Sequence, residues 1–137
     1  MAGGSKYYIG ERCIMGMYKM ITVDFQHKDE RGSLIQLIHD GYKQINVLDS
    51  KKGAIRGAHF HKRASEAFYL IHGSVEVEFK GKSAFEKVVF KEGDFFEIEP
   101  FVLHNMYFPE DCLMVQMYDI PVENEDGSKD IYMEDEF

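Results

Sequence analysis

Between residues 42 and 120, apolar side chains come in short runs rather than at helical spacing. In "VEVEF", Val75, Val77 and Phe79 alternate with Glu76 and Glu78, the period of a strand that turns one face to a core and the other to water. Runs of Val, Ile, Phe and Tyr predict strands near residues 34–39, 43–48, 54–61, 66–72, 74–80, 84–90, 95–98, 103–108 and 112–119. Turns are expected at "SKKG", "KRAS", "FKGKS", "KEGD" and "FPED". No helix of ordinary length shows the 3.6 period, and there is no internal repeat or linker. Short strands at regular spacing predict an all-β fold, a sandwich or small barrel in a single domain. The expected division is an N-terminal arm over 1–28, able to add a strand to a sheet or a dimer, a barrel over 29–120 and an acidic tail over 121–137.

Composition narrows this picture. A chain of 137 residues, 45% hydrophobic with 11 Phe, 8 Tyr and 8 Met, can bury a core without cross-links. Cys13 and Cys112 are far apart and lack CxxC spacing, so they read as two reduced thiols. No apolar run reaches the roughly 18 residues of a membrane span, and "MAGGSKYYIG" lacks the apolar core of a secretory signal; a cytoplasmic protein is expected. A net charge of −8 disfavours nucleic acid as a partner. The acidity gathered in "ENEDGSKDIYMEDEF" reads as a solvated tail.

Candidate chemistry lies in "GAIRGAHFHKRASEAFYLIHG", residues 53–73. Residues two apart on a strand share a face, so His59 and His61 project together. With "KRAS" as the connection between antiparallel strands, Glu66 opens the next strand about 5 Å from the pair. Phe68 and Leu70 continue its face, so Glu66 sits among apolar groups and needs a cation, either a protonated His or a metal ion. His104, followed on its face by Met106 and Phe108, looks into the same kind of surroundings. Three imidazoles and a carboxylate suit a divalent Fe, Mn, Ni, Zn or Cu ion. His27, His39 and His72 read as ordinary polar residues. Ala67, Tyr69 and Ile71 face outward and need cover, which predicts a homodimer; sedimentation as a monomer would refute it.

These residues resemble the cupin family. Its first motif corresponds to Gly53, His59, His61, Glu66 and Gly73, and its second to Gly93 and His104, with the second motif's internal glycine absent and Phe108 in place of its final Asn. The resemblance spans residues 29–119. It implies a single-domain cupin, a double-stranded β-helix or jelly-roll barrel, with His59, His61, Glu66 and His104 as metal ligands.

A narrower likeness precedes the motif. "DERGSL" at 29–34 and "QINVLDSKKGAIRGAHFHK" at 44–62 resemble the nucleotide-sugar cupins, the 4-keto-6-deoxyhexose 3,5-epimerases and the sugar 3,4-ketoisomerases, through Gln44, Asn46, Gly53, Arg56, Gly57, His59, His61 and Lys62. That likeness implies an isomerase or epimerase in which His59 or His61 removes the proton next to a sugar ketone. Arg56 would hold phosphate, with Lys62, Gln44 and Asn46 also contacting substrate. Tyr69 or Tyr107 would donate a proton. "DERG" also reads as a plain turn, and Arg56 and Lys62 as surface charges. Tyr118-Asp119 matches the ketoisomerase pattern, but "DIYMEDEF" lacks the Arg that follows it there. Two alternatives stand beside the isomerase: an Fe(II) dioxygenase acting on a small molecule, and a non-catalytic ligand-binding or regulatory cupin.

Overall fold

The computed structural model describes residues 6–9 and 12–137, with side chains from residue 16 onward. Among the described residues the chain forms fourteen strands in order. Four come first: β1 (Lys6–Ile9), β2 (Arg12–Met15), β3 (Tyr18–Met20) and β4 (Phe25–Asp29). Then follow β5 (Gly32–Gln36), β6 (Gln44–Ser50), β7 (Ile55–Phe60), β8 (Glu66–His72) and β9 (Ser74–Lys80). The last are β10 (Phe85–Lys91), β11 (Phe95–Ile98), β12 (Leu103–Tyr107), β13 (Cys112–Tyr118) and β14 (Tyr132–Met133). The only helical turn among the described residues is a 3-10 turn at Glu134–Glu136. Among the described residues no helix is long and apolar enough to cross a membrane.

Two five-stranded antiparallel sheets, ordered β10-β9-β12-β7-β14 and β3-β11-β8-β13-β6, bury their inner faces in a shared core, which makes the fold a cupin jelly roll. The hairpin β1-β2 and the hairpin β4-β5 stand outside these sheets. The turn of the second is Glu30-Arg31, where Arg31 closes back on Asp29 with Nη2 2.6 Å from Oδ2; "DERG" is thus a turn.

The alternation seen in the sequence carries through. Val75, Val77 and Phe79 are fully buried, while Glu76 and Glu78 are half-exposed. From the facing sheet, Phe68, Leu70, Phe96 and Met114 meet them. Phe96 stacks on Phe90 at 3.7 Å between ring centroids and lies 5.5 Å from Phe68. Such apolar burial supplies the main favourable free energy of the fold.

Two expectations are corrected here. "KRAS" does not join neighbouring strands, because β7 pairs with β12 and β14 whereas β8 pairs with β11 and β13. The 61–65 segment instead crosses from one sheet to the other, so Glu66 approaches the histidines through the barrel interior. The outer face of β8 is also partly covered by its own chain. Ala67 and Tyr69 pack with Phe95 and Met117 under Ile21, Val23, Leu37, Ile38 and Tyr42, leaving Ile71 41% exposed.

The tail is structured as well. Tyr132 and Met133 pair with Phe60 and His59, and Phe137 packs edge-on against Phe60 at 5.2 Å.

Candidate functional site

At one end of the barrel the inner face turns polar. His59 near the end of β7, His61 just beyond it, Glu66 at the start of β8 and His104 on β12 bring one ligand atom each within 4.8 Å of one another. His61, Glu66 and His104 are buried, at 3%, 0% and 2% exposure; His59 is half-buried. His59 and His104 are directly opposed in the β7–β12 register.

The main chain sets the direction of all three rings. His59 Nδ1 lies 3.0 Å from the Gly57 carbonyl, His104 Nδ1 3.0 Å from the Val102 carbonyl, and His61 Nδ1 2.6 Å from the Asp130 carbonyl. A carbonyl oxygen only accepts, so each Nδ1 carries a proton and each Nε2 points into the cluster. There, His61 Nε2 is 2.9 Å and His104 Nε2 3.7 Å from Glu66 Oε2, and the Nε2 atoms of His59 and His104 are 3.1 Å apart. Two bare nitrogen lone pairs at that separation repel unless a proton or a metal ion lies between them.

Electrostatics follow from this crowding. Burial, then the neighbouring His104 and His61, push the His59 pKa down to about 4, so His59 is neutral at pH 7. Burial opposes a charge on His61, but the Glu66 carboxylate and the Asp130 carbonyl outweigh it and raise its pKa. For Glu66 burial also opposes ionisation, and His104 and His61 overcome it, holding the carboxyl well below the usual carboxylate range.

The donor set fits a divalent transition ion. Ligand atoms about 2.1 Å from one ion stand about 3.0 Å apart at right angles and about 3.4 Å apart at tetrahedral angles. The separations of 2.9, 3.1 and 3.7 Å bracket those values.

Polar groups of the neighbouring strands β13 and β6 adjoin Glu66. Gln116 Nε2 donates to Glu66 Oε1 at 3.4 Å and to the Tyr118 hydroxyl at 3.3 Å, and Gln116 Oε1 accepts from Asn46 Nδ2 at 2.9 Å. Asn46 thereby joins the cluster through Gln116. Gln44 does not: its Oε1 accepts from the Val122 amide at 3.0 Å. Tyr118 stands edge-on to His61 at 5.4 Å, and burial followed by the Glu66 charge raises its pKa, keeping the phenol protonated.

The tyrosines named from the sequence lie elsewhere. Tyr107 follows buried Met106 on β12, so its side chain faces out and is 41% exposed. Tyr69 packs against Phe95 on the outside of the other sheet. Neither is brought to the cluster. Tyr118 and Gln116 were not singled out as site residues, although Met114, Gln116 and Tyr118 share a face of β13 and a polar pair on an inward face is a usable signal.

Arg56 reaches the inner face through a β-bulge. His59 pairs with His104 but Arg56 with Met106, so Gly57 and Ala58 oppose Asn105 alone and the alternation of β7 is reset. The Arg56 guanidinium bonds Ser50 Oγ through Nε at 2.9 Å and the Asp49 carbonyl through Nη2 at 3.1 Å, at the end of β6 away from the level of Gln44, Tyr118 and Glu66, and the residue is exposed. Lys62 is drawn aside, its Nζ 4.1 Å from the centre of the Tyr132 ring, and Arg63 bonds Asn124.

Known folds share this arrangement of sheets. A double mutant of a 3,4-ketoisomerase from Thermoanaerobacterium thermosaccharolyticum, in complex with TDP, superposes with a TM-score of 0.73 at 21% identity, over 90% of this chain and 92% of that one. A 3,4-ketoisomerase from Helicobacter canadensis gives 0.68 at 23% identity over 80% and 87%. The dTDP-4-dehydrorhamnose 3,5-epimerase from Sulfolobus tokodaii gives 0.60 at 17% identity, over 74% of each chain. No curated protein matches the sequence. Residues 27–119, which hold all four converging side chains together with Gln116 and Tyr118, match the model of one sequence family. By that match the chain belongs to the polysaccharide biosynthesis C-terminal domain family.

Proposed function

We propose that the chain is an isomerase or epimerase of a sugar or nucleotide sugar, moving a proton next to a ketone. The observation that carries this reading is the convergence of three main-chain-oriented imidazoles and a buried carboxylate on one point of the barrel, beside a tyrosine hydroxyl held protonated. His59, neutral and the most exposed of the four, is the base. The C–H bond next to the ketone breaks, its proton passes to His59, and its electron pair delocalises onto the carbonyl oxygen as an enolate. Tyr118 is placed to protonate the enolate at another carbon or face. Arg56, exposed and three residues before His59 on β7, would meet a phosphate with the guanidinium hydrogens not engaged by Ser50 and Asp49. The likeness to ketoisomerases solved with TDP supports a nucleotide sugar as substrate.

As an alternative to that metal-free state, the same four side chains are proposed to hold a divalent Fe, Mn, Ni, Zn or Cu ion; with Nδ1–H on the Gly57 carbonyl, the one free lone pair of His59 serves either the ion or the substrate proton, so His59 is the base only in the metal-free site. When bound, such an ion supplies Lewis-acid polarisation of the substrate carbonyl. A second copy of the chain is proposed to cover the outer face of the β6 sheet, where Val47 and Ile45 are 72% and 59% exposed beside a groove of about 620 Å³ lined by Val23, Ile35, Leu37, Tyr69, Ile71 and Val115.

The test is incubation with TDP-4-keto-6-deoxyglucose in D2O, followed by proton NMR, with and without added Zn(II), Mn(II) or Fe(II). Deuterium entering beside the ketone, and failing to enter with His59→Ala, is the expected result. Absence of exchange under every metal condition, with no thermal stabilisation by TDP, would overturn the reading.

A further inference from the structure

Asp130 lies in the C-terminal segment, outside residues 27–119 that match the family. It is 1% exposed, unlike the solvated tail that the local charge suggests. Its carboxylate accepts from three successive main-chain amides: Lys62 on Oδ1, and Arg63 and Ala64 on Oδ2, each at 2.9 Å. Burial opposes this charge, but the amides of Ala64, Lys62 and Arg63 and the nearby His61 outweigh it. The same residue's carbonyl accepts a hydrogen bond from His61 Nδ1, 2.6 Å away.

Together these contacts close a loop. The carboxylate fixes Asp130 against the 62–64 crossing, and the carbonyl so placed fixes the ring that begins that crossing. We infer that Asp130 is the positioning residue for His61, which makes the C-terminal segment a working part of the site. His59 and His104 use carbonyls two residues earlier in the chain. His61 has left β7 and takes its carbonyl from a segment 69 residues away, held against the crossing by the Asp130 carboxylate and flanked by the Asp130 amide's bond to the Val122 carbonyl and the β14–β7 pairing. Metal-bound or catalytic imidazoles depend on such partners for orientation, commonly by about 10- to 100-fold in affinity or activity.

Asp119 supplies the control. Its Oδ1 accepts from the Ser65 and Ile120 amides at 2.8 and 2.9 Å, tying down the far end of the same crossing without touching His61. The inference rests on the four-residue cluster being the site, so its first readout is independent of metal or turnover. In the unmodified protein, the His61 Nδ1–H proton, identified by its loss in His61→Gln, should be slow to exchange and show a coupling across the hydrogen bond to the Asp130 carbonyl carbon. In Asp130→Asn and Asp130→Ala that proton should exchange at least about tenfold faster, while Asp119→Asn leaves it slow even where its melting temperature falls as far. Zn(II) affinity, if the native protein binds zinc, should drop about tenfold or more in the Asp130 variants and stay within a few-fold in Asp119→Asn. Absence of the coupling in the native protein, an unchanged proton in Asp130→Asn, or equal acceleration in Asp119→Asn would each overturn the inference. If neither Asp130 variant folds, the native coupling decides.

Discussion

The two ends of the barrel interior obey one geometric rule and reach opposite outcomes. On β8, Glu66, Phe68 and Leu70 all point inward; on β12, His104 and Met106 do. Toward Leu70 and Phe96 the two sheets meet through stacked rings and methyl groups that need nothing but one another. Toward Glu66 the same spacing forces four polar groups together, and each demands a hydrogen-bond partner or a cation. The apolar end therefore holds the fold, and the polar end is supported by it.

This contrast can be broken most sharply at Phe96. It is fully buried and packed between Phe90 and Phe68, so Phe96→Ala should cost about 3–5 kcal/mol in a denaturant titration while leaving kcat per folded molecule unchanged. Tyr118→Phe tests the converse. It deletes one hydroxyl at the polar end, and turnover should fall about 100-fold or more while the melting temperature moves by a few degrees. Tyr107→Phe, on the outer face, should change neither stability beyond about 0.5 kcal/mol nor turnover; a loss there would return the proton donor to the residue expected from the sequence.

The smallest effect concerns acid. The Asp130 carboxyl is held below its ordinary value, so between the two values the unfolded chain binds more protons than the folded one, and stability rises with pH. Its contribution is complete above about pH 4 and disappears as pH falls through the lowered folded value. Asp130→Asn should therefore flatten the acid limb of a stability-against-pH curve by about 1 kcal/mol.

Much of this was legible in the chain. Runs of Val, Ile, Phe and Tyr locate β6 through β13 to within a residue or two; the alternation is clean in β9, where one face is buried and the other wet, and absent in β8 and β11, which are buried on both faces. The Gly, His and Glu spacings placed the four converging side chains. What spacing could not show is which strands pair. "KRAS" reads as a hairpin connection, yet it spans two sheets, since a strand's partners are chosen by the whole core rather than by its nearest turn. Alternation also fails wherever a bulge inserts a residue, which is why Arg56 and His59 share a face although three positions separate them. The 34–39 strand is displaced to Gly32–Gln36 by the hairpin turn at Glu30-Arg31. The tail strand is too short to be read: β14 is two residues long and pairs with Phe60 and His59 of β7. Of the N-terminal arm, residues 1–5, 10 and 11 lie outside the described residues.

The carbonyls that aim the three rings belong to Gly57, Val102 and Asp130, and any amino acid carries a carbonyl. Evolutionary drift could therefore rewrite the side chain at 102 without redirecting an imidazole. Position 57 lies in the bulge and position 130 is held by its own carboxylate, so these two acceptors are less free to vary. Orientation in this barrel is inherited mostly through backbone shape, and a comparison of residue identities alone would see the histidines and overlook most of what points them.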